Sequence, residues 1–195
     1  MKKFRNLMAW AFILLSALSF ASCSKDADVA YTLDGTWKGY LQTQRKYDNR
    51  WYQTSTAEVT FNAGYDSGNG YWLDNYSDAP WDYVANHISW RVRNEIIFID
   101  FLDTRESARI RNYHLDDQYF YGEIEFSNSN VWVKFQFVKT SSPNWNGYHW
   151  YGSDDWRDSW YRYGAKPSLG SEPQSLGGTE EPVDSIKLIR RPLDE

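Results

Sequence analysis

The sequence predicts an all-β protein, an eight-stranded antiparallel up-and-down meander that closes into a barrel, and three observations predict it. From Gly35 to Lys139 the apolar residues recur with a period of two, the pattern of strands with one face turned inward. Turn-forming residues punctuate that stretch about every ten to fifteen positions. No run of helical period long enough to cross a sheet lies between the strands, which excludes parallel βαβ topologies.

The runs follow in order. Trp37, Gly39 and Leu41 alternate with Lys38, Tyr40 and Gln42, and then Ala57, Val59 and Phe61 alternate with Glu58 and Thr60. Asn62 to Gly64 and Asp66 to Gly70 supply turn chemistry, after which Tyr71 to Tyr76 reads as a third strand. Ile88, Trp90 and Val92 mark the fourth, ended by Asn94. Glu95 to Leu102 is apolar on both faces apart from Asp100, and such a strand wants cover on both sides. Ser107 to Leu115, Tyr119 to Ser127 and Val131 to Val138 complete the set, hinged at Asp116-Asp117 and at Asn128 to Asn130. Closure removes exposed edges, and eight strands suffice for it. Trp37, Phe61, Trp90, Phe120 and Phe135 are the candidate core, joined by Leu41, Ile124 and Phe137. Side chains of this bulk fill much of an eight-stranded interior, so a ligand site is expected at the barrel mouth or on an outer face.

Residues 1–22 have the layout of a signal peptide. Lys2, Lys3 and Arg5 precede a twelve-residue apolar run from Leu7 to Leu18, too short to span a bilayer as a mature helix. The segment ends Ser19-Phe20-Ala21-Ser22-Cys23, which resembles the lipobox of bacterial lipoproteins and makes Cys23, the chain's one cysteine, the expected acylation site. Several acyl chains on one residue exceed the two that stable anchoring requires. Residues 23–33 then read as a lipidated tether, and Ser24 to Asp28 is similar to the acidic export signal of surface-exposed lipoproteins. Removing the leader takes away three cations and no anions, so the mature chain is more acidic than the −5 of the full 195 residues. That balance excludes a nucleic-acid partner, and a single cysteine excludes an internal disulfide framework. The expected location is the outer membrane, lipid-anchored and facing the cell surface.

Residues 34–139 make up the barrel and residues 140–163 a Trp/Tyr-rich segment without strand or helix period. That segment holds Trp145, Tyr148, Trp150, Tyr151, Trp156, Trp160, Tyr161 and Tyr163. Residues 164–195 read as a flexible linker and tail, in which Val183 to Arg191 is either a short strand or part of the tail.

Leu33-Asp34-Gly35-Thr36-Trp37-Lys38-Gly39 resembles the Gly-x-Trp first strand of lipocalins, and more closely that of small lipocalin-like lipoproteins of Gram-negative bacteria. The Phe61 to Gly70 hairpin, the Ile88 to Leu102 pair and the Phe120 to Phe137 pair follow in the order such proteins show. The resemblance covers residues 33–139 and implies a closed barrel, a fold that hosts many functions. Where lipocalins carry a helix after the barrel, this chain has the aromatic segment.

No catalytic residues, cofactor or metal site are expected. His87, His114 and His149 lie in separate segments without ligand spacing. Asp116-Asp117 reads as a solvated turn, and Asp154, Asp155 and Asp158 lack the spacing of a calcium loop. Binding is the stronger reading, through Trp145, Tyr148, Trp150, Tyr151, Trp156 and Trp160, whose rings are interleaved with Asn, Gly, Asp, Arg and Ser. Flat rings beside hydrogen-bonding groups suit a glycan or a protein partner. The same rings can instead pack over the two-faced strand Glu95 to Leu102. The alternatives from other classes are an accessory subunit of an outer-membrane assembly and a small hydrolase or isomerase using barrel-mouth carboxylates.

Overall fold

Alternation of apolar and polar residues becomes alternation of inside and outside, and in this chain the sheet that results has no free edge along its main ring. The computed structural model describes residues 25–47, 49–129, 131–151 and 189–192. Its strands are β1 (Gly35–Leu41), β2 (Thr43–Tyr47), β3 (Arg50–Ala63), β4 (Ser67–Tyr76), β5 (Tyr83–Arg93), β6 (Ile96–Phe101), β7 (Glu106–Leu115), β8 (Tyr119–Phe126), β9 (Trp132–Thr140) and β10 (Ile189–Pro192). From β3 to β9 each strand pairs antiparallel with the next. β1 pairs with both β9 and β3, closing an eight-stranded up-and-down barrel. Each predicted run is one of these ring strands, and the barrel ends at Thr140.

β2 continues β1 beyond Gln42 and pairs with the first residues of β3, while β10 pairs antiparallel with the outer edge of β2, Arg190 opposite Arg45. The stretch left open between strand and tail is thus a strand over residues 189–192, which covers an edge that would otherwise present unpaired backbone groups.

Trp37, Phe61, Trp90, Phe120 and Phe135 all lie in the buried core. They interlock edge to face, Trp37 on Phe120 at 5.6 Å, Phe61 on Trp90 at 5.4 Å and Phe120 on Phe135 at 4.8 Å between centroids, the arrangement that aromatic quadrupoles favour. A second cluster at the opposite end gathers Tyr76, Trp81 and Val84.

Residues 25–33 correct the sequence reading: they form a helix, α1, docked on the end of the barrel where β5 turns into β6, and not a tether. Ala30 and Leu33 are fully buried in the core and Val29 packs beside them. The Asp26 carboxylate accepts the backbone N–H groups of Asn94 and Glu95 at 3.0 and 2.8 Å. Both of those turn residues have positive φ, 51° and 62°, as a two-residue type I′ hairpin requires. Lys25 pairs with Glu95 at 3.0 Å. Beside this contact Tyr113 packs against the core, and burial, then Glu95 and Asp26, push its phenol up to about 12 from 10.0. A raised folded value favours the neutral phenol in the native state. Its stabilisation is therefore complete below pH 10 and is lost as pH rises through about 12. Tyr113→Phe is expected to flatten that alkaline loss, read from urea midpoints between pH 9 and 12; an unchanged slope would count against it.

Candidate functional site

The described part of the aromatic segment, residues 140–151, runs along the outer wall formed by β3, β4 and β5. Leu73, Ala85, Glu58 and Thr60 point outward by alternation and yet are buried, so something covers them. Trp150 forms a parallel bridge with Ala85, and the Tyr151 N–H donates to the Ala85 carbonyl at 3.0 Å. The His149 N–H donates to the Tyr83 hydroxyl at 3.0 Å. Upstream, Asn144 caps the short 3₁₀ turn Trp145–Gly147, its side chain accepting from the Asn146 N–H, and the Trp145 indole donates to Ser142 Oγ at 2.9 Å. For the described rings, packing over Glu95 to Leu102 is thereby corrected: Trp145 and Trp150 lie over β4 and β5. The outer face of β6 has its own cover, the Arg91 guanidinium 5.2 Å over the Phe98 ring and 3.3 Å from Asp100, since a long cationic side chain shields an apolar ring while keeping its charge in water.

Trp145 and Trp150 lie 5.0 and 5.1 Å from Tyr71 at interplanar angles of 32° and 29°. They are 6.3 Å from each other at 25°. The last distance is far short of the sum of the other two, so Tyr71 is not sandwiched between the indoles. The two sit side by side, both tilted over one tyrosine, and all three rings are half-buried. Tyr148 flanks Trp145 at 5.4 Å and meets Tyr83 edge on at 5.1 Å. Burial, with Glu58 next, raises its phenol above the ordinary value, while Lys38 opposes.

A polar pair borders the rings. His87 lies 4.0 Å from Trp150. One Asp103 oxygen accepts both the His87 backbone N–H, at 2.6 Å, and its Nδ1, at 3.0 Å. A carboxylate only accepts, so Nδ1 carries the proton of this contact, and Nε2 is left facing away from Asp103. Of the residues named from sequence, Trp145, Tyr148 and Trp150 come together on this wall, while the Tyr151 side chain packs against the Tyr76–Trp81–Val84 cluster. Trp156, Trp160 and Cys23 lie outside the described residues, as do Asp154, Asp155 and Asp158. His114 is elsewhere, 2.9 Å from Asp116. Asp116 is a turn cap held below its usual value by the Gln118 N–H, then by His114 and the Tyr119 N–H.

Sequence reasoning missed Tyr71, Tyr83, His87 and Asp103 as partners of the segment; the one available signal was that Tyr71, Tyr83 and His87 occupy outward positions of adjacent strands. It also missed a buried ion cluster in the barrel end opposite α1. Arg45, fully buried, places Nη2 3.2 Å from Asp74 and 3.2 Å from Glu106. Burial opposes its charge, but Glu106, Tyr76 and Asp74 outweigh that and hold its pKa above the ordinary value. The Trp72 indole donates to Asp74 at 2.8 Å, and Thr104 and Asn128 donate to Glu106. Among the described residues no three His, Cys, Asp or Glu side chains form a metal-binding group, and no helix is long and apolar enough to cross a membrane.

Compared with known proteins, the chain matches no family model and no curated sequence.

Proposed function

We propose that this protein is a lipid-anchored outer-membrane binding protein, without a catalytic role, that recognises a glycan through the Tyr71–Trp145–Trp150 wall. The observation that carries the reading is the pair of indoles set side by side over one tyrosine. A sugar ring has an apolar C–H face and a rim of hydroxyls. Two near-parallel indoles offer matching flat area at little loss of side-chain entropy, and the His87–Asp103 pair stands where hydroxyls at the rim can be met. A site of this kind needs no moving part, because the rings are already held by Tyr71, Ser142 and the Ala85 backbone. Cys23 supports the anchor, through the lipobox-like residues before it.

The test is glycan-array binding by the mature chain, repeated with Trp145→Ala and Trp150→Ala together. Loss of at least thirtyfold in affinity is expected, the scale of about 2 kcal/mol carried by a hot spot. Undiminished binding in that variant would overturn the reading, and co-purification of a membrane protein that the same variant loses would replace the glycan by a protein partner. For the anchor, Cys23→Ser is expected to shift the protein from the membrane to the soluble fraction.

A further inference from the structure

On the far side of the barrel from the Trp145–Trp150 wall, the outer face of β1, β9, β8 and β7 carries a groove of about 620 Å³. We infer that it is a second, separate binding site, for a neutral oligosaccharide. It stands on its own residues and does not depend on the Trp145–Trp150 wall.

The strand register builds it. Tyr40 lies opposite Gln136, Gln136 opposite Tyr121, and Tyr121 opposite His114. One transverse row therefore sets two tyrosines two strand spacings apart, about 9.5 Å, with an amide between them. Both rings are open to solvent, 44% and 46% exposed, where packing alone would have hidden them. His114 stacks on Tyr121 at 5.0 Å and 25°, which braces that ring and leaves its other side for a ligand. In the adjoining row Glu123 lies opposite Lys134. The bulge in β7 between Arg111 and His114 holds Asn112 at a φ of 50°, from where its amide donates to Glu123 at 2.9 Å. A non-glycine residue kept in that region marks a backbone shaped by its surroundings.

Three features select the ligand class. The volume lies within the range of small-molecule sites, roughly 300–1,000 Å³. The polar lining is two glutamines, an asparagine and one opposite-charged pair, so the groove carries no net charge to favour a polyanion or polycation. The Gln42, Gln136 and Lys134 side chains make no hydrogen bond among the described residues, and an amide that both donates and accepts suits hydroxyls. A peptide is disfavoured because these strands are paired within the closed ring and offer no edge for strand addition.

Titration calorimetry with maltohexaose, xylohexaose and a linear mannan oligosaccharide, and with a sulfated oligosaccharide as the charged arm, tests the groove in the Trp145→Ala/Trp150→Ala background. At least one neutral probe is expected to bind there. Its affinity should fall at least tenfold with Tyr40→Ala or Tyr121→Ala, stay near the parent with Tyr121→Phe, and melting temperatures should be unmoved because both rings are exposed. Binding of no neutral probe in that background overturns the groove whatever the wall does. So does preference for the sulfated probe, or a neutral probe whose affinity ignores both tyrosine substitutions.

Discussion

Replacing Arg45 by methionine is expected to cost about 3–5 kcal/mol of folding stability, the penalty for leaving buried charge without its partner. Methionine fills much of the same space, so the loss arises from Asp74 and Glu106, which would face each other across the site of the missing cation. The Trp72 indole and the Thr104 and Asn128 side chains, which also donate to them, are neutral. Carboxylates in that position hold their protons more tightly in the folded than in the unfolded state. The folded variant then gains on acidification, and its deficit against the parent should shrink as pH falls toward the carboxylate range. Neutralising all three groups, as Arg45→Met/Asp74→Asn/Glu106→Gln, should recover most of the loss, because a buried ion cluster replaced whole by neutral groups is often near neutral in energy. Urea midpoints at pH 5 and 7.5 decide it. A single variant that loses under about 1 kcal/mol, or a deficit that ignores pH, sinks the account.

Trp37→Ala is expected to cost a similar amount, about 3–5 kcal/mol, and to release α1 as well. The indole is fully buried against Phe120, and its Nε1 donates to the Leu33 carbonyl at 2.7 Å, at the end of the helix. Lys139 lies 5.0 Å over the same ring. Truncation thus opens a cavity and removes one of the hydrogen bonds that join helix to barrel, the one at the helix's C-terminal end. Trp37→Phe refills part of the space without that bond, so it should restore much of the global stability while amide exchange in residues 25–33 stays fast. Exchange in the helix that is untouched by either substitution would show that Trp37 does not hold it.

The difference between these two sites explains what the sequence makes legible. Trp37 stands in a clean alternation with Lys38, and the same rule finds most ring strands, because hydrophobic period reports burial wherever the interior is apolar; Glu95 to Leu102 is found instead as an apolar run bounded by turns. β2 breaks that link. Its inward residues are Thr43, Arg45 and Tyr47, so a strand with a polar inside reads as loop. The ion cluster joins residues from β2, β4 and the start of β7 that only strand closure brings together. α1 was readable in part: Val29, Ala30 and Leu33 share one helical face, but Lys25, Asp26 and Asp28 make the stretch look like solvated chain, and the value of Asp26 lies in a turn it meets only after folding. The aromatic segment is legible as unusual because its rings lack a strand period, while the seat of Trp145 and Trp150 on β4 and β5 is not. Ile96 and Phe98 advertise an uncovered face loudly; Leu73 and Ala85, the residues that are covered, do so weakly. Tyr40 and Tyr121 were visible only as polar-face positions, since their pairing through Gln136 depends on register.

The docking of α1 also bears on how the molecule stands at a surface. If Cys23 carries the acyl chains, only Ser24 separates it from Lys25, a span of at most about 7 Å. There is then no leash on which the barrel can swing. On that condition the end that holds α1 would lie nearest the headgroups, and the Tyr71–Trp145–Trp150 wall and the Tyr40–Tyr121 groove would stand as flanks reached from the side. Ligands recognised this way would be approached along the surface, as neighbouring polymers are, and crowding among adjacent molecules would set how many can be engaged at once.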